Sequence, residues 1–337
     1  MNHSDNPTNI IPKILCIALI IVVGLLCISS AQGSIGELLN AGGTHAAPTL
    51  PINIPTVRPT PSYTSPNGQS ASAGETPTPS PTATARPVLG QLAHNGAAEE
   101  IAHHTDSELE FIITRVTREK LVYYTVELAL TSPYQLLTAF AGNRITNRDY
   151  TSNIAQSNDA LLAINGDFCG YNSNGIIIRN GILYRDTAST RSLAVYDSSG
   201  NFSYIPEKDA DAQALIDAGV FHTFSFGPVL VENSQATSDE VIEEHFLSHR
   251  VREPRTAIGQ LGPLHYLILV VDGRQDDASQ GMLFSELQDT FVSYGVISAY
   301  NLDGGGSSTL YYNGEVINSP CVEGERKVSD IIFFKGA

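Results

Sequence analysis

Alternation of apolar and polar positions begins near residue 100 and runs to the end of the chain. Residues 122–130 alternate and predict a strand, paired with residues 111–116 across a short charged turn. Residues 161–164 read as a buried strand. Residues 175–179 and 182–185 form a hairpin about Asn180-Gly181, a dipeptide that supplies the positive φ angles a two-residue turn needs. Further strands are expected at 229–232, 256–260, 265–271, 297–301, 309–312, 315–318 and 329–334. Helices are fewer. Ser152 opens a short one running to Asn158, residues 209–218 form a second that Gly219 stops, and residues 282–294 form the longest. There Leu283, Leu287, Phe291 and Tyr294 share a stripe, and Gly295 follows as the stop. This mixture predicts a single α+β domain of mixed or antiparallel sheets with few helices.

Before that domain the pattern is different. Residues 14–28 are uninterrupted apolar residues, preceded by Lys13 and followed by Ser29, Ser30 and Ala31. Residues 1–32 therefore read as a signal peptide or an uncleaved signal anchor, which places the rest of the chain outside the cytoplasm, secreted or held at a membrane. From 33 to 99 the chain turns to Pro, Thr, Ser, Ala and Gly, and ten of its 18 prolines fall between Pro48 and Pro87. No apolar core can form from such residues, so the segment reads as a disordered tether. Residues 100–337 form the remaining domain.

Charge narrows the function. Lys and Arg number 19 against 35 Asp and Glu, a net charge of -16, and nearly all of it lies from residue 100 onward. A nucleic-acid partner is excluded, because a polyanion is repelled over most of such a surface. Any phosphate must be met by a few focused arginines, by backbone amides or by a cation. Four cysteines are too few for a disulfide framework.

Three clusters carry candidate chemistry, each where a predicted strand runs into a glycine-bearing loop. Asp303-Gly304-Gly305-Gly306-Ser307-Ser308 follows a strand, and its three glycines let amides converge on an anion. A tight turn accounts for the same residues. The loop lacks the Gly-Lys-Ser/Thr ending of a nucleotide-binding P-loop and the Gly-x-Ser-x-Gly of a nucleophile elbow. Asp272-Gly273-Arg274 ends a second strand and precedes the helix that carries Glu286 beside its buried stripe; pairing with an arginine is the plain alternative for that glutamate. Asn165-Gly166-Asp167-Phe168 ends a third, where an Asx turn is equally consistent.

Taken together, Asn165-Gly166-Asp167-Phe168, Pro254-Arg255-Thr256-Ala257-Ile258-Gly259, Asp272-Gly273-Arg274 with Ser279, Gly281 and Glu286, Asn301 to Ser308, and Gly324-Glu325-Arg326 with Val328, Ser329 and Asp330 resemble the phosphodiester glycosidase family. Asp167 departs from the pattern of the animal members, which have glycine there. The resemblance implies hydrolysis of a sugar joined through its anomeric carbon to a phosphodiester, releasing sugar and a phosphomonoester, on a carbohydrate or sugar-phosphate substrate of cell-surface or exopolysaccharide type. On that chemistry Asp303 and Glu286 lead as catalytic carboxylates, with Asp272 and Asp167 in reserve. Asn165 positions the sugar, and the phosphate falls to Gly304, Gly305, Gly306, Ser307 and Ser308 with Arg255, Arg274 or Arg326. No cofactor is required by the sequence, although Asp167, Asp272 and Asp303 offer oxygen ligands to calcium or magnesium if their loops meet. Cys169 and Cys321 lie beside two of the clusters and are the disulfide candidates in an oxidising compartment. Two other readings stand beside this one: a tethered domain that binds polysaccharide without cleaving it, and a serine hydrolase using Ser307 with His222 or His265.

Overall fold

The computed structural model describes residues 86–337, apart from 241, 243–249 and 322–323. The apolar run at 14–28 and the tether up to residue 85 lie outside the described residues. Among the described residues no helix is long and apolar enough to cross a membrane.

Strands dominate, and every strand pairing among the described residues is antiparallel. The largest sheet has eight strands, in the spatial order β1 (Ala97–Thr105), β2 (Leu109–Arg118), β3 (Leu121–Leu130), β14 (His265–Val271), β13 (Arg255–Gly262), β15 (Ser298–Asn301), β11 (Val229–Glu232) and β12 (Gln235–Ala236). A five-stranded sheet follows the order β17 (Glu315–Val316), β16 (Leu310–Tyr312), β5 (Leu162–Asn165), β18 (Asp330–Phe334) and β4 (Leu137–Phe140). Three strands, β10 (His222–Phe224), β8 (Ser192–Tyr196) and β9 (Phe202–Pro206), form a third sheet, and β6 (Ile177–Arg179) with β7 (Ile182–Arg185) form the hairpin about Asn180-Gly181. The α+β expectation therefore holds, with antiparallel sheets. Among the described residues the helices α1 (Thr151–Ser157), α2 (Ala212–Asp217) and α3 (Phe284–Ser293) accompany them.

The layers follow from which face of each strand is apolar. Tyr266, Ile268 and Val270 of β14 join Tyr124, Val126 and Leu128 of β3 in one cluster with Leu162, Ile164, Ile332 and Phe334 of the five-stranded sheet. The intervening Leu267, Leu269 and Val271 face the other way and pack on Phe284, Leu287 and Phe291 of α3. Strand β14 is thus buried on both sides, which is why its sequence is an unbroken apolar run and not an alternating one. The far face of the five-stranded sheet, through Ala163, Ile331 and Phe333, is covered by Ile154 and Ala155 of α1. Helix, sheet, sheet and helix stack in that order.

Several details depart from expectation. The folded chain reaches back before residue 100: β1 starts at Ala97, Leu89 is buried, and the Gly90 amide donates to Glu127 at 2.8 Å. Ser152 is not the cap of α1. Tyr150 occupies that position without a side-chain bond, while the Ser152 amide and hydroxyl donate to Glu325 at 3.0 and 2.6 Å. Strands β1, β4, β8, β9, β10 and β12 lie at residues where the alternation predicted none.

Candidate active site

The antiparallel order brings one end of each sheet together. Strands β14 and β15 finish, and β13 starts, at the same edge of the large sheet, since Arg255 pairs with Val271 and Ala257 with Asn301. Strand β5 finishes at Asn165 beside the starts of β16 and β18. Asn165 joins the two edges. Its fully buried amide donates to the Asp303 carbonyl at 2.7 Å and the Gly166 carbonyl at 3.2 Å, and its carbonyl oxygen accepts from Thr256 at 2.8 Å and from the Thr309 amide at 3.2 Å. Each hydrogen-bonding position of that side chain is used inside the protein. The expectation that Asn165 positions the sugar is corrected accordingly: it fixes the loop that follows β15.

On that loop Asp303 is buried, with one oxygen accepting from the Gly304 amide at 2.9 Å and the other from Arg326 Nη2 at 2.5 Å. Burial pushes its pKa up, and the charge and hydrogen bond of Arg326, Ser307 and the Gly304 amide oppose the rise. Arg326 is set by its neighbours. Its own amide donates to the Gly306 carbonyl at 2.9 Å, its Nε to the Ser307 hydroxyl at 2.8 Å, and the preceding Glu325 grips the start of α1. Across the loop lies Arg274, whose Nη2 would sit 3.0 Å from a β-carbon at Gly305; that glycine also has a φ of 61°. Glycine is required there both for the backbone conformation and for the close approach of the guanidinium. The side chains of Arg274 and Arg326 remain 52% and 44% exposed, so two guanidinium groups, one paired with Glu253 at 2.6 Å and the other with Asp303, flank the glycine loop with access to solvent.

The other carboxylates are placed differently. Asp272 is buried at the end of β14, where one oxygen accepts from Asn318 at 2.9 Å and from the Ser319 amide at 3.0 Å. Asn318 also donates to the Ser308 carbonyl at 3.0 Å, which ties Asp272 to the glycine loop. Burial pushes the Asp272 pKa up to about 6 against those hydrogen bonds. A carboxyl with a folded pKa above its unfolded value of about 3.9 stabilises the fold below that value, and the contribution is lost as pH rises through 6. Wild-type protein is therefore expected to gain about 2 to 3 kcal/mol of stability over Asp272→Asn between pH 7 and pH 4. Urea denaturation of both proteins at the two pH values measures this, and parallel pH profiles would contradict the assignment.

Asp167 does not reach the loop surface. It is held at 2.9 Å by Arg179, and its other oxygen accepts from the Ser225 amide at 2.8 Å. Arg179 also binds Asp330 at 3.0 Å, and all three side chains are buried. Burial, with the nearby Asp167 charge, pushes Asp330 up. No β-carbon fits at Gly166, because it would overlap the Asp330 carboxylate. The convergence of Asp167, Asp272 and Asp303 on a cation is not found among the described residues. The cluster whose ligand atoms lie within 4.8 Å of one another is Asp167, Cys169 and Asp330, and there Arg179 supplies the countercharge.

Glu286 belongs to helix α3. Arg252 binds both its oxygens, at 2.5 and 2.6 Å, and one oxygen also accepts the Leu283 amide at 3.0 Å, closing the first turn. Glu286, expected as a leading catalytic carboxylate, is in this structure engaged in capping α3 and pairing with Arg252. Arg255 is likewise withdrawn: its buried guanidinium lies 3.8 Å from the Phe284 ring and donates to the Met282 and Val251 carbonyls, and burial lowers its pKa to about 10. Cys169 and Cys321 are not joined. Cys169 is buried beside Ser329, whereas Cys321 is half-buried near Arg274. No serine triad forms, since His222 bonds to Leu136 and Thr138, His265 pairs with Glu127, and the Ser307 hydroxyl accepts from Arg326.

The profile of the family described as phosphodiester glycosidase matches residues 158–335, just over half the chain and all of the loops above. The chain belongs to the phosphodiester glycosidase family. This phosphodiester glycosidase chain is 29% identical over 238 residues to the SPbeta prophage-derived protein YomE of Bacillus subtilis (strain 168), covering 66% of this chain and 36% of that protein. It is 31% identical over 106 residues to the N-acetylglucosamine-1-phosphodiester alpha-N-acetylglucosaminidase of Bos taurus, covering 31% of this chain and 20% of the bovine one. The chain thus spans about a third of the first relative and a fifth of the second. The solved catalytic domain of the zebrafish enzyme of that name, auto-inhibited by its pro-peptide, has the same fold, with a TM-score of 0.56 over 72% of this chain and 88% of that one at 21% identity. A hypothetical protein from Synechocystis superposes with a TM-score of 0.51 at 14% identity, covering 67% and 62% of the two chains.

Arg179 is the site-supporting residue that sequence reasoning missed. Its signal was an arginine directly after the apolar run Ile176-Ile177-Ile178 and directly before the Asn180-Gly181 turn.

Proposed function

We propose that this phosphodiester glycosidase hydrolyses a sugar 1-phosphodiester, breaking the bond between the anomeric carbon and the phosphate oxygen. The electron pair stays with the phosphate, which leaves as a phosphomonoester, and water supplies the hydroxyl of the released sugar. The observation that carries this reading is the glycine loop after β15, with buried Asp303 on it and the half-exposed Arg274 and Arg326 on either side. A departing phosphate is already a stable anion, so it needs charge stabilisation more than a strong acid, and the two arginines supply that, since the amides of Gly304, Gly305, Ser307 and Ser308 are donated within the protein. Asp303 serves the positive charge that develops at the anomeric carbon. Asp272, pushed up to about 6 by burial and tied to the glycine loop through Asn318, is the second carboxyl proposed to exchange a proton.

The setting proposed is extracytoplasmic, on cell-surface or exopolysaccharide-type glycoconjugates, supported by the apolar run and the proline-rich tether. The test is release of free sugar and phosphomonoester from a sugar 1-phosphodiester by the purified protein. Saturable glycan binding with no product would favour the binding reading instead. Within the same assay Glu286→Gln is expected to turn over like wild type, because glutamine preserves the cap of α3 and only the ion pair with Arg252 is lost. That pair is partly exposed and contributes less than about 1 kcal/mol to stability. A large rate loss in that variant would return Glu286 to the chemistry.

A further inference from the structure

Phe168 follows the buried Asp167 with a φ of 65°, a left-handed conformation that a bulky side chain adopts only where its surroundings impose it. The turn carries the ring beneath Arg326, whose guanidinium carbon lies 5.5 Å from the ring centroid. The opposite face of Phe168 stacks on Tyr171 at 4.2 Å with the planes 8° apart. Arg148 covers the far face of Tyr171 at 4.0 Å. Tyr171 then closes the circuit, since its hydroxyl donates at 2.7 Å to the carbonyl of Lys327, the residue after Arg326. The arginine that holds Asp303 is thus fixed at its edge by Asp303 and Ser307, on its face by an aromatic ring, and at its backbone by the tyrosine behind that ring. Nη1 makes no hydrogen bond among the described residues, which leaves it for an incoming anion.

We propose that Phe168, backed by Tyr171 and Arg148, is a positioning residue: it sets the plane of the Arg326 guanidinium so that the group meets the departing phosphate. The inference rests on the phosphodiester reading of the site and acts only through Arg326. A long arginine side chain loses several rotatable degrees of freedom on ordering, and an aromatic face holds the cation without competing for the hydrogen bonds the phosphate needs.

Phe168→Gly is the informative variant, because glycine keeps the positive φ without strain and removes only the ring. Two readouts are taken on wild type, Phe168→Gly, Phe168→Tyr, Arg326→Lys and the Phe168→Gly/Arg326→Lys double variant: kcat and KM on a sugar 1-(methyl phosphate), and affinity for inorganic phosphate by calorimetry. Phe168→Gly is expected to lower kcat and phosphate affinity by about tenfold, the scale of a partly desolvated cation–π contact. Phe168→Tyr should restore both, and the glycine substitution should cost nothing further in the Arg326→Lys background. Tyr171→Leu, which leaves Phe168 in place, should give the same pattern at smaller size and guards against misfolding of the glycine variant. An equal loss in the Arg326→Lys background, phosphate affinity unchanged in Phe168→Gly, or no phosphate binding by wild type would overturn the proposal. If wild type binds phosphate but cleaves no phosphodiester, the proposed reaction fails while the calorimetric comparison still decides the role of Phe168.

Discussion

Asp303→Asn is expected to lower kcat on a sugar 1-phosphodiester by about 10²- to 10⁴-fold, the range for removing a carboxylate that takes part in the reaction. Asparagine fits the same volume and its oxygen still accepts from the Gly304 amide, so the glycine loop keeps its shape. What disappears is the negative charge 2.5 Å from Arg326. Released sugar, measured under single-turnover conditions at saturating substrate, separates this loss from a change in binding, and near-ultraviolet circular dichroism checks the fold. A rate within tenfold of wild type would remove Asp303 from the chemistry and leave Asp272 as the leading carboxyl.

The second large effect is on stability. Arg179→Met is expected to destabilise the protein by about 3 to 5 kcal/mol at pH 7, because it leaves Asp167 and Asp330 buried beside each other with no cation. The pH dependence gives the result its signature. Without Arg179, which opposes the upward push of burial on Asp330, that carboxyl rises further in the folded state, so the folded form takes up a proton that the unfolded chain does not, and the deficit shrinks as pH falls toward 5. Urea denaturation of wild type and variant at pH 7 and pH 5 measures both numbers. A deficit that stays constant with pH would mean that lost packing over Phe224, which the guanidinium covers at 4.7 Å, and not charge, is responsible.

Much of the fold was legible because burial and alternation coincide. Strands β11 and β14 fall at the expected residues, and β3, β5, β13 and β18 differ by a few residues at most. Helix α3 was visible through its stripe, and the Asn180-Gly181 turn through its chemistry, with φ values of 51° and 75°. The strands that escaped notice are of two kinds. Strand β1 is largely exposed, with two glutamates and two histidines, and owes its extended form to pairing with β2. Strands β4, β8, β9, β10 and β12 are short and owe their extended form to pairing with other strands, which no local pattern records.

Around the candidate site, the loop after β15 stood out by its run of three glycines, and Arg274 and Arg326 by being among the few bases of an acidic chain. Residue type alone does not tell a carboxylate that faces a ligand from one that caps a helix or answers a buried arginine. Glu286 and Asp167 differ from Asp303 only in their partners, and Arg252 and Arg179 lie 34 and 12 residues away from them. The same holds for Asn165, whose four hydrogen bonds to Gly166, Asp303, Thr256 and Thr309 are a property of the assembled sheets.

That arrangement has a kinetic consequence. The bonds of Asn165 cross 91 residues to Thr256 and 138 to Asp303, so neither sheet can build the loop on its own, and the site is expected to form late during refolding. Recovery of turnover after dilution from urea should trail the far-ultraviolet signal of the individual strands and coincide with the burial of tyrosines such as Tyr266 between the docked sheets.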